Sequence, residues 1–354
     1  MPTIALNLTR LKDALREHLS QSGQVSDSES LSLLAHGEAN LIFCLGDSRL
    51  VRVAVNTPNQ RFGGEIRRVT QFEQVILTYL AGTGLSHTLL AAQTEPTPDF
   101  PYTYLVTNYL EGRSLNYSRP HLQLAAATLA RLHRLPLSEE FAVARLTPPV
   151  PVVARPLHLF YQEAASYAQP YLDSSDADPE IVALLKAVLD KAKQRLQTEH
   201  LLTDYPHVCL VHSDHTYENW VVNNQHAYLI DWEWAEVGSP AGDLGHFLSP
   251  VTIRRRQGYR MPAGDRAFFL QCYYEALGDR TLAAAIAHHF AAFGVFPAVR
   301  SLCWTAGYWI TANRWYAEAA ESPSAAERLE RQRRSRQQFP ELGAEILAWL
   351  DGEV

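Results

Sequence analysis

The sequence predicts an α+β chain in two lobes, a small antiparallel sheet with one helix and then a larger, mainly helical part. Three observations carry that expectation. At 354 residues the chain has the length of about two domains. Short β-prone runs separated by turns crowd into residues 33–55 and 102–109, with one helical period between them. From residue 121 onward helical periods dominate, broken by a cluster of short apolar runs at 209–245.

Composition narrows the function classes. An apolar content of 47% with 19% charged residues describes an ordinary globular protein. A net charge of −7 argues against a general nucleic-acid binder. Cys44, Cys209, Cys272 and Cys303 lie far apart with no CxxC pair, which fits reduced thiols in a cytoplasmic protein. The N-terminus carries Arg10, Lys12 and Asp13 where a signal peptide has its apolar core. The longest apolar stretch, 282–296, is interrupted by His288 and His289 and is too short for a bilayer, so no membrane partner is expected.

Leu8, Leu11, Leu15 and Leu19 recur at three- and four-residue spacing and predict an amphipathic helix over 7–20. Residues 33–45 read as strand, turn and strand about Gly37, and 50–55 as a third strand. In that strand Val51, Val53 and Val55 share one face, and Leu50, Arg52 and Ala54 the other. An arginine so flanked faces either water or a charged cleft. A helix over 65–81 sets Val69, Glu73, Ile76, Leu77 and Leu80 on one face, where an unpaired carboxylate is costly. Pairing Glu73 with Arg52 resolves both oddities; Glu65 is the fallback partner.

A proline loop at 96–101 leads to a strand at 102–109, and a helix follows over 121–135. Prolines recur through 136–160 and exclude a long helix there. Helices are predicted near 158–172, 178–198, 266–277, 281–292 and 303–316. Leu342, Ile346, Leu347 and Leu350 mark a closing amphipathic helix, and the charged run at 327–336 reads as an exposed one. Trp304, Tyr308, Thr311 and Trp315 form a stripe that suits either core packing or a pocket for a quaternary amine or sugar. Arg254, Arg255, Arg256 and Arg260 form a basic cluster, either a solvated loop or a contact for an anionic substrate.

The stretch 209–245 carries the chemistry. Apolar Cys209, Leu210 and Val211 lead into His212-Ser213-Asp214, and Asn219 follows five residues after Asp214. The apolar runs 220–222 and 227–230 flank Asn223-Asn224-Gln225-His226. An Asn pair between β-prone runs reads as a tight hairpin, because Asn tolerates the left-handed backbone such turns need. With Val222 opposite Ala227, Asn219 falls opposite Ile230, beside Asp231 at the open end. Asp214 lies on the loop feeding the first strand. A carboxylate and an amide oxygen on strand ends suit Mg²⁺, a hard cation that prefers oxygen ligands. A further carboxylate kept off the metal can take a proton from a hydroxyl. That is the working set of phosphoryl transfer.

On these residues the chain resembles the aminoglycoside phosphotransferase/choline kinase family of kinase-like small-molecule kinases. The resemblance rests on His212-x-Asp214-x-x-x-x-Asn219, on Ile230-Asp231-Trp232-Glu233 and on Asp243-Leu244, and covers roughly residues 30–250. Ser213 stands where glycine is common in the family. The resemblance implies a two-lobed protein-kinase-like fold: a nucleotide-binding lobe at 1–107, a hinge at 108–112 and a catalytic and substrate-binding lobe at 113–354. It implies Asp214 as catalytic base, Asn219 and Asp231 as Mg²⁺ ligands, and Arg52, braced by Glu73, on the nucleotide phosphates. The turn at Gly37 and Asn40 would close over those phosphates, and backbone near Asn108 and Leu110 would meet the base. His212, Asp243 and His133 would be structural. Glu233, Trp304 and Tyr308 are the candidate acceptor contacts. The implied activity is transfer of the γ-phosphate of ATP or GTP to a hydroxyl of an aminoglycoside-, choline- or sugar-like molecule.

Other readings fit fewer of these residues. No GxxxxGK[ST] occurs, which argues against a P-loop enzyme. A kinase-like nucleotide-binding protein could act by interaction without catalysis. His212, Asp214 and His215 could ligate a hydrolase metal if other loops supplied further histidines.

Overall fold

The structure, a computed structural model, describes residues 7–26, 28–37, 39–57, 60–137, 149–256, 259–318 and 323–352, with the side chains of 312–329 and 331 left out. Its contacts divide the chain into two compact units. The first holds the described residues up to Arg113, residues 149–150 and Val221–Ala235; the second holds Ser114–Leu137, Pro151–Trp220 and the described chain from Glu236 onward.

In the first unit, α1 (Leu8–Gln21) is capped by the Asn7 side chain and buries Leu11, Leu15 and Leu19. β1 (Leu31–His36), β2 (Asn40–Leu45), β3 (Arg49–Ala54), α2 (Ile66–Tyr79), β4 (Leu89–Gln93) and β5 (Thr103–Asn108) follow. The strands form one antiparallel sheet in the order β1-β2-β3-β5-β4. The leucines of α1 pack with Leu41, Phe43, Leu45, Val51 and Val53 in one apolar cluster. The period of two then turns Arg52 away from that cluster, toward Glu73 of α2. β4 was not expected: Leu89-Leu90-Ala91-Ala92-Gln93 neither alternates nor carries a β-branched residue. It pairs as the sheet's edge, with a register shift between Leu89 and Ala91.

The second unit begins with α3 (Arg119–His133), α4 (Pro156–Leu172), α5 (Pro179–Arg195), α6 (His200–Asp204) and β6 (Cys209–Val211). β7 (Trp220–Val222) and β8 (Ala227–Leu229) make the hairpin, followed by β9 (Glu236–Gly238), which pairs antiparallel with β6. Then come α7 (Pro240–Leu248), α8 (Pro250–Arg254), α9 (Ala263–Leu277), α10 (Arg280–Phe293), α11 (Phe296–Glu318) and α12 (Pro323–Leu350). The hairpin, expected in the C-terminal lobe, groups with the first unit. Leu229 N–H donates to the Leu85 carbonyl at 2.9 Å, and Ser86 Oγ donates to the Leu229 carbonyl at 2.7 Å. In the proline-rich stretch, α4 starts on Pro156, where a first-turn proline forfeits no helical hydrogen bond; residues 138–148 lie outside the described residues.

Three surface expectations change. Arg254 and Arg260 each donate to both Glu341 and Glu345 of α12, at 2.7–2.8 Å, so half of the basic cluster is an ion network and not a solvated loop. On α11 the buried side is Cys303, Ala306 and Trp309, while Trp304 is 46% exposed and stacks on Tyr308. That stripe is therefore no core face; the Trp315 side chain lies outside the described residues. Arg280–Thr311, across α10 and α11, is long and apolar enough to cross a membrane, longer than the sequence suggested, yet 56% of its apolar window is buried inside the protein, as in a core helix.

α4 and α11 approach so closely that a Cβ at Gly307 would stand 2.0 Å from the Tyr167 carbonyl oxygen. Gly307→Ala must push the helices apart. It is expected to cost about 1–3 kcal/mol, read as a lowered thermal midpoint; an unchanged midpoint would contradict the close crossing.

Candidate active site

The candidate residues fall into two sets, one in each unit. In the second unit the loop between β6 and β7 is shaped by Asp243, on the first turn of α7. Its Oδ2 accepts the His212 N–H at 2.9 Å and its Oδ1 the Ser213 N–H at 2.8 Å. His133 Nε2 donates to Oδ2 at 3.1 Å, which leaves His133 Nδ1 to accept from the Tyr273 hydroxyl at 2.7 Å. His215 Nε2 lies 2.9 Å from Oδ1. Burial alone would raise the Asp243 carboxyl; the His215 and His133 imidazoles outweigh it and hold the group well below the usual carboxylate range.

This clamp bends the loop. Ser213 sits at φ +64°, the left-handed region that favours glycine, which explains why glycine is common there in the resembling family. Its hydroxyl donates to buried Glu236 at 3.1 Å. His212 is fully buried, and its Nδ1 accepts the Asp214 N–H at 3.3 Å. Asn219 Nδ2 donates to Asp214 Oδ2 at 2.8 Å and to the Asp214 carbonyl at 3.0 Å. With its nitrogen so engaged, the amide turns its oxygen away from Asp214.

A residue the sequence reading missed stands next to Asp214. His246 Nδ1 accepts the His215 N–H at 3.0 Å, so its neutral ring carries the proton on Nε2, 3.8 Å from Asp214 Oδ1. Burial holds His246 well below its ordinary value. The available signal was its place three residues after Asp243, on the same face of a helix that Ser239 and Pro240 announce.

In the first unit, Arg52 gathers the other set. Its Nη1 donates to Glu73 Oε1 at 2.5 Å and its Nη2 to Asp231 Oδ1 at 2.6 Å. With the Asn40 amide oriented oxygen-inward, that oxygen accepts from Arg52 Nε at 3.1 Å and Nη2 at 2.9 Å. Glu73 also accepts the Trp232 N–H at 3.2 Å. Burial outweighs the pull of Arg52 and leaves Glu73 raised to about 7. Glu65 instead meets Arg67 and Arg68 at the start of α2. Asp231 sits at φ +68°, a left-handed position of the kind that clusters at functional sites. Glu233 is buried at 7% exposure, and its charge acts on Arg52, so it lines the inside of this unit.

The remaining first-unit candidates are less committed. A Cβ at Gly37 would meet only the Asn40 carbonyl oxygen at 3.4 Å, ordinary contact, so nothing within the fold demands glycine there. Asn108 is largely used internally: its Oδ1 accepts the Thr88 N–H at 2.6 Å and its carbonyl accepts from His87 Nδ1 at 3.0 Å. The Leu110 N–H meets no acceptor among the described residues. Asn223 closes the hairpin through its own Oδ1, which accepts from the Gln225 and His226 N–H groups at 2.9 and 2.8 Å.

Each unit holds a donor of the kind magnesium prefers. Asn219 offers an amide oxygen, and Asp231 a carboxylate whose side chain is 36% exposed, both hard oxygen ligands. Among the described residues no group of three or more His, Cys, Asp or Glu side chains is placed to hold a metal by itself. The hydrolase reading therefore gains no ligand cluster.

The family described as "Phosphotransferase enzyme family" matches residues 30–277. No curated protein matches the chain. Solved structures do. A choline/ethanolamine kinase family protein from Mesorhizobium loti is 16% identical, with a TM-score of 0.59 over 96% of this chain and 99% of that one. An ethanolamine kinase from Plasmodium vivax is 14% identical, with a TM-score of 0.63 over 97% of this chain and 89% of that one. The GDP complex of an aminoglycoside 2′-phosphotransferase is 16% identical, with a TM-score of 0.57 over 97% of this chain and 99% of that one. These likenesses establish the α+β, protein-kinase-like fold with its small antiparallel sheet.

Burial depresses His87, to about 4, and also His133 and His246. The unfolded chain takes up protons on these rings below about pH 6.5 while the folded chain does not. Stability is therefore expected to fall as pH drops from about 6.5 toward 4. His87→Gln should flatten that fall in urea midpoints taken at pH 5 and pH 7; an unchanged slope would contradict a neutral, buried His87.

Proposed function

Because the chain belongs to the phosphotransferase enzyme family, we propose that it moves the γ-phosphate of ATP or GTP to a hydroxyl of a small molecule, with Asp214 as base and Asn219 and Asp231 on Mg²⁺. The observation that carries this reading is the loop at Asp214. One carboxylate oxygen is pinned by Asn219, and the backbone beneath it is fixed by Asp243. Such a base is positioned before the substrate arrives, which is where most of the rate gain in phosphoryl transfer comes from.

In the proposed reaction the acceptor oxygen forms a bond to the γ-phosphorus as its proton passes to Asp214. The bond from that phosphorus to the β–γ bridging oxygen breaks, and its electron pair leaves with the nucleoside diphosphate. Bound Mg²⁺ would offset charge on the phosphates. Arg52, held by Glu73, Asp231 and Asn40, would be the cation for them. The Leu110 N–H is the backbone donor left for the base. The acceptor lies within the family's aminoglycoside-, choline- or sugar-like range, and the compartment is the cytoplasm, where nucleotide is supplied. A silent, nucleotide-binding role is the second reading. The presence of Asp214, Asn219, Asp231, Arg52 and Glu73 together in this chain disfavours it.

Asp214→Ala is expected to lower turnover by about 10²–10⁴-fold while Mg-nucleotide binding, followed by calorimetry, persists. Full activity in that variant would remove Asp214 as the base. Asp231→Ala should weaken Mg-nucleotide binding and shift the Mg²⁺ dependence of turnover upward; an unaltered Mg²⁺ titration would take Asp231 off the metal.

A further inference from the structure

A base that takes a proton fixes only one direction of the hydroxyl it faces. The oxygen keeps two lone pairs, and transfer needs one of them turned toward phosphorus. The second unit carries a group placed to settle that turn, and the chemistry above leaves it unused.

His246 lies one turn after Asp243 on α7. That helix is firmly seated: the Ser239 side chain caps its start, and Gly245 packs against the backbone of Gly294. His246 Nδ1 accepts the His215 N–H at 3.0 Å, a bond that only an unprotonated nitrogen can accept. One bond therefore sets both the orientation of the ring and its tautomer, with the proton on Nε2. Burial, helped by the charges of His215, Arg300 and Arg255 and opposed by Asp243, keeps the ring neutral.

His246 Nε2 lies 3.8 Å from Asp214 Oδ1, too far for a direct hydrogen bond. It meets no other acceptor among the described residues. Nor is it sealed. The buried polar atoms left without a partner include the Tyr117 hydroxyl and Trp220 Nε1 but not His246 Nε2. The His246 side chain is 10% exposed and that of Asp214 27%. Asp214 Oδ2 is taken by Asn219 at 2.8 Å, which leaves Oδ1 as the oxygen turned to the histidine. A donor and a base thus stand side by side within one unit, both open to solvent. A single oxygen about 2.8 Å from each would span the gap.

We propose that the acceptor hydroxyl bridges these two atoms, donating its hydrogen to Asp214 Oδ1 and accepting one from His246 Nε2–H, so that its remaining lone pair is the one offered to the γ-phosphorus. The proposal rests on the phosphotransferase reading with Asp214 as base. His246 keeps its own proton throughout: the acceptor's proton goes to Asp214, and the electron pair of the broken bond leaves with the nucleoside diphosphate. The residue supplies orientation and not basicity. A protonated amine cannot take the place of the hydroxyl, because it has no lone pair for Nε2–H. The clamp therefore selects a hydroxyl even on an acceptor that also carries ammonium groups.

His246→Asn and His246→Gln separate this role from a structural one. An Asn amide oxygen stands in for Nδ1 and still accepts the His215 N–H, but leaves no donor facing Asp214. A Gln amide nitrogen stands in for Nε2–H instead. The full-length protein and both variants are assayed with MgATP and choline, glucose, kanamycin or water alone as acceptor. For whichever acceptor the unaltered protein uses fastest, His246→Asn should lower kcat/KM about tenfold, chiefly in kcat, with the thermal midpoint and the Kd for MgATP unchanged. His246→Gln should recover most of that kcat while lowering the midpoint. Full activity in His246→Asn overturns the clamp, and so does an equal loss in both variants, which marks a structural residue; in either case the phosphotransferase reading stands. Histidine ¹⁵N NMR of the unaltered protein near neutral pH reads the ring directly: the Nε2–H tautomer supports the clamp, and the Nδ1–H tautomer or an imidazolium overturns it even if a variant fails to fold. If the unaltered protein transfers phosphate to none of the four acceptors, the phosphotransferase reading itself fails and the clamp falls with it.

Discussion

The carboxylate of Asp243 is fully buried, and four nitrogens converge on it: the backbone N–H groups of His212 and Ser213 and the imidazoles of His133 and His215. An ionised carboxylate taken out of water costs several kcal/mol unless its lone pairs are met. Here they are, and the first turn of α7 adds the favourable end of a helix dipole. The loop cannot relax without orphaning this charge. That constraint holds Ser213 in a left-handed conformation and fixes the backbone from which Asp214 projects.

The first unit solves a similar problem with the charges reversed. Arg52, on a strand whose other face builds the core, is neutralised by Glu73 and Asp231 and completed by Asn40. Glu73 in turn receives the Trp232 N–H, so the residue after Asp231 is tied to α2. Arg61 donates to the carbonyls of Trp234 and Ala235 at 2.9 and 3.1 Å and fastens the segment that follows. Asp231 is therefore held on both sides while its own backbone is left-handed. In both units a buried or half-buried charge network, and not local propensity, sets the conformation of the candidate catalytic residue.

Arg52 and Glu73 were legible in sequence because each breaks its own pattern, a cation on an apolar strand and an acid on an apolar helix face. The hairpin was legible because β-prone runs flank a turn that Asn223 closes with its own side chain. Elements without such local contradictions were missed. β4 lacks alternation and is recruited only by β5. α7 was hidden by the glycines of Gly242 and Gly245; a Cβ at Gly245 would stand 2.1 Å from the Gly294 carbonyl oxygen, so that glycine serves packing and not a loop. The acidic partners of Arg254 and Arg260 lie more than eighty positions away on α12, beyond any local reading. Tyr117 gives no sequence hint of its left-handed backbone or its orphaned hydroxyl.

What emerges is a small-molecule kinase of the phosphotransferase enzyme family in which the proposed base, Asp214, and the proposed phosphate-binding cation, Arg52, are each held by a buried ion network. The most direct measurement is the fate of the γ-phosphoryl group when ATP labelled with ¹⁸O at that position is incubated with the protein, Mg²⁺ and a set of small hydroxylated acceptors. The account predicts a phosphomonoester of one acceptor that carries the label, formed in step with ADP. Label recovered only as inorganic phosphate, or ATP left intact across the set, would contradict it.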